Sequence, residues 1–166
     1  ETIIGGDFTN YFAVINLTNN VISDLNLDLN GVIYDMVVVD NTLYLAGAFT
    51  QVQGQNRNYL ASVDLQTNQL TDWNPNPNTA IQTICANETI LFVGGDFSTV
   101  SGESRERLAA FNIQTGEIDA WNHSADAIVR RLRVNNNNLA IVGSFTSIDD
   151  ESRSNLAIID LSMDEL

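Results

Sequence analysis

Cysteine, basic residues and long apolar runs are scarce in this chain of 166 residues, and each scarcity argues against a class of function. Cys85 is the only cysteine, so the chain cannot form an internal disulfide. Its neighbours Ile84 and Ala86 are apolar, which favours a small buried hydrophobic residue over a nucleophile. No stretch approaches 18 consecutive apolar residues, so the sequence predicts no membrane span.

The second scarcity is positive charge. The chain carries 7 basic residues, all of them arginine, against 21 acidic ones, which gives a net charge of −14. Such a surface repels phosphates, so nucleic acid and anionic lipid are not expected partners. Acidic oxygens suit calcium, but no loop has the Asp-x-Asp-x-Asp-Gly spacing, so calcium is a weak option and no other cofactor is predicted.

Histidine is scarce too, because His123 is the only one. With one histidine and one cysteine, the chain has no ligand set for structural zinc. Pro75 stands 48 residues before His123, at the corresponding position of an internal repeat. We therefore interpret His123 as a loop substitution without a catalytic role.

What the chain does have is an internal repeat. Phenylalanine recurs every 48 residues in three copies, and an earlier copy is shorter by seven. A glycine precedes each phenylalanine by two residues. The paired positions are Gly6 and Phe8, Gly47 and Phe49, Gly95 and Phe97, and Gly143 and Phe145. The residue between them is Asp, Ala, Asp or Ser, so no catalytic aspartate is maintained and the phrase is interpreted as structural.

Further positions repeat with the same spacing. An arginine follows the phenylalanine by eight residues in the three long copies, and a tryptophan closes two of them. These residues are Arg57, Arg105, Arg153, Trp73 and Trp121. The arginines either clamp the long loop through hydrogen bonds to carbonyls or carboxylates, with Asp64 and Asp160 as candidate partners, or form a basic ring for an anionic ligand.

Each repeat reads as four short antiparallel strands. In the best example they are AIQTICAN, TILFVGGDF, RLAAFNIQ and EIDAWN, with a polar loop between the second and third. The second strand is apolar on consecutive positions, so both of its faces must be covered, as in a β-propeller blade. The sequence therefore predicts an all-β propeller arc. Glycine allows close backbone approach, phenylalanine packs between blades and tryptophan packs along the outer strand.

The combination of these motifs resembles the kelch-related "delta-60" propeller repeats of large secreted or surface proteins. The segments that carry the resemblance are LFVGGDFSTVSGESRERLAAFNIQTGEIDAWN and LYLAGAFTQVQGQNRNYLASVDLQTNQLTDWNPN. It covers essentially the whole chain and implies a propeller scaffold in an extracellular or surface protein. It implies no particular reaction, because propellers carry both enzymes and binding modules.

The repeat divides the chain into blade pieces at about 1–30, 31–78, 79–126 and 127–166, two of them complete. The first lacks its initial strand and the last its final strand, so we expect the ring to be completed by a longer polypeptide or by further copies. The first hypothesis for function is a non-catalytic scaffold or a module that binds protein or glycan. The alternatives are part of an enzyme acting on polysaccharide and a self-assembling structural subunit.

Overall fold

The computed structural model describes residues 25–166 and, before them, the strands Thr2–Gly5, Phe12–Asn16 and Val21–Ile22. Within this part of the chain all regular structure is β and there is no helix, so none crosses a membrane. Four main antiparallel sheets follow one another along the sequence, and the described sheets do not close into a ring. The predicted fold class, a partial β-propeller, is confirmed.

Each main sheet is one blade, numbered here from the N-terminus. The first blade has the order β1-β2-β3 and the second β4-β5-β8-β9, while β6 and β7 pair separately. Their strands are β1 (Thr2–Gly5), β2 (Phe12–Asn16), β3 (Val21–Ile22), β4 (Ile33–Val39), β5 (Thr42–Gly47), β6 (Gln51–Val52), β7 (Gln55–Asn56), β8 (Leu60–Asp64) and β9 (Gln69–Leu70).

The third and fourth blades repeat this plan, with the orders β10-β11-β14 and β15-β16-β19. The third contains β10 (Ile81–Ala86), β11 (Ile90–Gly95), β12 (Thr99–Val100), β13 (Glu103–Ser104) and β14 (Leu108–Asn112). The fourth contains β15 (Val129–Asn135), β16 (Asn138–Gly143), β17 (Ser147–Ile148), β18 (Glu151–Ser152) and β19 (Leu156–Asp160).

Two details differ from the sequence prediction. The polar loop of each long repeat contains a small hairpin, and both residues at its tip have positive φ, which is the geometry of a type I′ turn. The predicted outer strand over 117–122 is reduced to a single bridge between Phe111 and Ile118. The last blade, predicted to lack this strand, has a corresponding bridge between Asp160 and Glu165. An outer strand packed on one side only needs few ladder bonds.

The core is divided among the seams between blades. One apolar cluster joins Tyr44 and Leu60 of the second blade to Leu91 and Phe97 of the third. Another joins third-blade residues to fourth-blade residues, and another packs Leu25, Leu27 and Leu29 against the second blade. The central strand β5 is buried on consecutive positions from Leu43 to Gly47, as its unbroken apolar run predicts.

Candidate functional site

The repeated glycine lies where two backbones meet within a blade. A Cβ on Gly47 would stand 2.1 Å from the carbonyl oxygen of Val32, and one on Gly143 would stand 2.3 Å from that of Ile128. At Gly95 the corresponding distance, to the oxygen of Ala80, is 3.0 Å. Gly47 and Gly143 therefore leave no space for a side chain, and Gly95 leaves little, so the repeated glycine has a structural role.

The repeated phenylalanines fill the seams. Phe49, Phe97 and Phe145 are each completely buried, and each belongs to a different one of the three apolar clusters. In every case the cluster lies between the phenylalanine's own blade and the preceding part of the chain. Gly6 and Phe8, predicted to be the first pair, lie outside the described residues.

The repeated arginines contact the small hairpins. Arg57 and Arg105 each donate to the carbonyl of the residue just before them. Each also donates to a carbonyl near the end of its own repeat, Arg57 to Thr71 at 2.9 Å and Arg105 to Asp119 at 3.4 Å. Arg153 donates to the Ser152 carbonyl (2.9 Å) and to Glu151 Oε2 (3.0 Å). This arrangement favours the clamp, which stays a prediction until it is tested by mutation.

The acidic partners proposed for these arginines from the sequence are wrong. Asp64 instead accepts hydrogen bonds from the amides of Gln66 and Thr67. Asp160 accepts them from the amide and hydroxyl of Ser162. Both carboxylates therefore stabilise the turn that follows their own strand, because a short acidic side chain reaches the amides two or three residues ahead.

The two tryptophans lie at the outer end of successive seams. Trp73 makes edge contacts with Tyr44 (5.4 Å) and with Phe111 of the next blade (5.2 Å), and its indole N–H donates to the Gly116 carbonyl at 2.8 Å. Trp121 makes an edge contact with Phe92 at 5.3 Å. Open clefts of about 340 and 430 Å³ lie beside these indoles at equivalent positions, so the cleft is a property of the repeat.

Sequence reasoning missed a repeated hydrogen-bond clasp. Asn30, Asn78 and Asp126, which are also 48 residues apart, each accept two backbone amides at the start of the small hairpin. Each also bonds a hydroxyl there, as Asp126 does with Thr146. The 48-residue spacing was the signal that could have revealed it, although asparagine is so common in this chain that no single copy stands out.

A second missed feature concerns the first strand of the second, third and fourth blades, called the inner strands. A β-bulge interrupts pairing at the same place in β4, β10 and β15, next to Asp35, Thr83 and Arg131. Asp35 Oδ2 accepts from the Thr83 hydroxyl (2.8 Å) and from the amide of Ile84 (3.1 Å), and the Thr83 hydroxyl oxygen accepts from the amide of Leu132 (3.1 Å). Asp35 and Thr83 each thus accept a backbone amide of the next blade, at a residue just beyond that blade's bulge.

Arg131 occupies the same position in the last blade and has the opposite chemistry. A guanidinium has no acceptor, so Arg131 cannot satisfy an amide of a following blade. Its side chain is 56% exposed and turns back to within 3.7 Å of Asp35 Oδ2. The same strand also carries Arg130, which donates to the Ser144 hydroxyl, and Arg133, which donates to the Leu132 carbonyl.

One blade face is uncovered. Val142, Leu156 and Ile158 of β16 and β19 are 43%, 56% and 52% exposed, and they are called the open blade face below. The equivalent residues of the second and third blades are almost completely buried. They are Ala46, Leu60, Ser62, Gly94, Leu108 and Ala110. A Cβ added to Gly94 would stand 2.6 Å from Val129 of the next blade, so the two blades are in close contact there.

Neither the lone thiol nor a metal ion has a reactive setting among residues 25–166. Burial raises the pKa of the Cys85 thiol to about 12, which keeps it protonated and a poor nucleophile. In the same part of the chain there is no group of three or more histidine, cysteine or acidic side chains arranged to hold a metal ion. The open blade face is therefore the candidate site with the clearest physical argument.

Comparison with known proteins supports the fold. The family described as "Domain of unknown function (DUF5122) beta-propeller" matches residues 40–61, from the start of the second blade's central hairpin into β8. No curated protein matches the sequence. The chain therefore contains a β-propeller repeat of that kind, while the match is too short to define the whole chain.

One solved structure with a TM-score above 0.5 agrees with this fold at low identity. A chain from a Saccharomyces cerevisiae complex of Dbp5 bound to Nup159, Gle1, IP6 and ADP is 13% identical, with a TM-score of 0.52, over 95% of this chain and 42% of that one. The computationally designed Ika4 protein is 11% identical with a TM-score of 0.49, over 80% of this chain and 92% of that one. At this identity the likeness concerns the fold alone.

Proposed function

We propose that this chain is a non-catalytic β-propeller module that serves as a structural scaffold and assembles through its open blade face. The occupant we propose is a further blade of the same repeat. In a solution of the chain alone that blade belongs to a second copy, so the chain should self-associate. This proposal combines two of the hypotheses drawn from the sequence, the structural scaffold and the self-assembling subunit.

One observation carries the proposal: the same face is covered in the two preceding blades and uncovered in the last. The residues at the covered positions are buried by the neighbouring blade in both cases. A solvent-exposed face of valine, leucine and isoleucine gains about 1 kcal/mol for each half-exposed side chain that a partner covers. Continuity with the internal seams therefore points to a blade as the partner.

The charge of the chain argues against two other classes of partner. A net charge of −14 opposes nucleic acid and anionic lipid. A glycan or polysaccharide ligand has no specific residue to support it, because both indole clefts are repeated consequences of the blade plan. The location outside the cell, or on its surface, rests on the family resemblance and stays a prediction.

The test is sedimentation of the intact chain over a wide concentration range. Val142→Asp places a charge in the open blade face and should abolish association. Val38→Asp is the matched control, because Val38 is also a strand valine, is 43% exposed and lies outside that face. A wild-type chain that stays monomeric throughout, or a Val142→Asp variant that associates as strongly as the Val38→Asp control, contradicts the proposal.

A further inference from the structure

The only histidine is held between two carboxylates. His123 Nδ1 contacts Asp149 Oδ2, and His123 Nε2 lies 2.9 Å from Asp164 Oδ1. The imidazole packs against the Trp121 indole, with 4.7 Å between the ring centroids, and its side chain is 12% exposed. The interpretation of this residue as a simple loop substitution missed both partners, which come from distant parts of the sequence.

The three residues belong to three separate segments. His123 lies in the connection between the third and fourth blades, and Asp149 lies at the tip of the β17–β18 hairpin. Asp164 lies in the turn after β19, where its amide donates to the Asp160 carbonyl at 2.7 Å. The imidazole therefore links a hairpin tip and an outer turn of the last blade to the preceding blade.

The preceding seam has a different link at this place. There the Trp73 indole N–H donates to the Gly116 carbonyl, at positions equivalent to Trp121 and Asp164. The Trp121 indole nitrogen is buried and, within the described residues, has no hydrogen-bond partner. In the last seam the fixed indole–carbonyl bond is thus absent, and the Asp164 side chain bonds to His123 instead.

The new link depends on a proton. An imidazole donates from both ring nitrogens only as the cation, and the neutral ring turns a lone pair toward one of the two carboxylates. The charged groups that face it are Asp149 from the hairpin and Asp164 from the outer turn, while Trp121 is neutral. Partial burial alone lowers the pKa of His123, but hydrogen bonds to the two aspartates and their charges outweigh burial and raise it.

We propose that His123, Asp149 and Asp164 form a proton-operated clamp that fastens the outer edge of the last blade to the preceding blade in mildly acidic solution and releases it in alkaline solution. The sign follows from linkage. A group that binds its proton more tightly in the folded state stabilises that state fully below its unfolded pKa, and the effect is lost as the pH rises through the folded pKa.

The chain offers a direct measurement, because a single histidine gives a single set of imidazole proton resonances. In the intact folded protein the nuclear magnetic resonance titration midpoint should lie above 6.5, the ordinary value. Asp164→Asn should lower that midpoint. Asp150→Asn is the matched control, since it removes a charge next to Asp149 in the same turn and should move the midpoint less than Asp164→Asn does.

A second measurement reads the clamp itself. The difference in thermal midpoint between wild type and His123→Gln should be larger in mild acid than in alkaline solution. Amide exchange at the turn after β19 should quicken in the wild type as the pH rises, beyond the ordinary base catalysis seen in His123→Gln. A wild-type midpoint at or below 6.5, an equal effect of Asp150→Asn and Asp164→Asn, or a pH-independent difference between wild type and His123→Gln overturns the proposal.

Discussion

Replacing the repeated glycine with alanine in two different blades should give two different results. At Gly47 the added Cβ meets the Val32 carbonyl oxygen at 2.1 Å and the Ile33 Cα at 2.9 Å. All of these atoms belong to backbone, and the same Val32 oxygen accepts the Ala48 amide at 2.8 Å. The chain must therefore move two strands of the second blade apart to admit one methyl group.

The magnitude follows from three terms. Overpacking costs about 1–3 kcal/mol, and weakening the amide bond to Val32 adds about 1 kcal/mol. The lower conformational entropy of an unfolded alanine chain returns about 0.5–1 kcal/mol. Gly47→Ala should thus lose about 1–3.5 kcal/mol of unfolding free energy, or about 2–14 °C in Tm for a domain of this size.

Gly95→Ala is the matched control in the next blade. Its Cβ meets the Ala80 oxygen at 3.0 Å and the buried Phe97 ring at 3.3 Å, so a shift of a few tenths of an ångström in these neighbours admits it. We expect a loss of about 1 kcal/mol or less. Urea unfolding followed by circular dichroism measures both variants. Equal losses at Gly47 and Gly95 would refute the argument that backbone contact decides the cost.

Three further predictions concern the polar contacts of the repeat. Arg105→Ala should lower Tm by removing the clamp, with a loss of about 1 kcal/mol in thermal unfolding, whereas unchanged melting would favour a ligand role. Thr83→Val leaves the Leu132 amide buried without its acceptor, so urea unfolding should show a loss of about 1–3 kcal/mol in unfolding free energy. A neutral result would contradict the stabilising role given to the hydrogen bonds that Thr83 makes between blades. Hydrogen bonds from the Thr146 hydroxyl and from backbone amides lower the pKa of Asp126 to about 2. The stability that this carboxylate contributes should therefore be complete above its unfolded pKa and lost as the pH falls through about 2, a dependence that Asp126→Asn should remove from acid-unfolding curves.

The sequence predicted the blade plan because a repeat supplies its own controls. Four copies show which residues vary without loss, so the aspartate beside Phe97 could be set aside and the glycine before it recognised as structural. The apolar run of β11 likewise predicted a strand covered on both faces. The signal for each of these features lies within a few residues of sequence, although the contacts behind it, such as that of Gly47 with Val32, reach further along the chain.

The remaining features depend on contacts that spacing does not reveal. The pairing of His123 with Asp149 and Asp164 spans up to 41 residues and occurs in one seam only, so no second copy could point to it. The small hairpins were missed because their strands are only two residues long, too short to show an alternating pattern, even though Val100 in one of them is completely buried. The reduced outer strands were overestimated because Trp121 extends the apolar pattern beyond the last ladder bond.

Two departures from the repeat lie in the last blade or in the seam before it, and both change a polar contact that the earlier blades share. Arg131 replaces the acceptor that Asp35 and Thr83 provide, and a titratable link at His123 replaces the fixed indole–carbonyl bond. A repeat that served only internal packing would keep the same hydrogen bond at the same position of every copy, as the equivalent bonds of Asn30 and Asn78 illustrate. Where local rules are broken in one place, function is the usual reason. Arg131 therefore changes the charge of the strand beside which a further blade would dock, while the proposed proton-dependent link at His123 lies in the seam on the other side of the same blade.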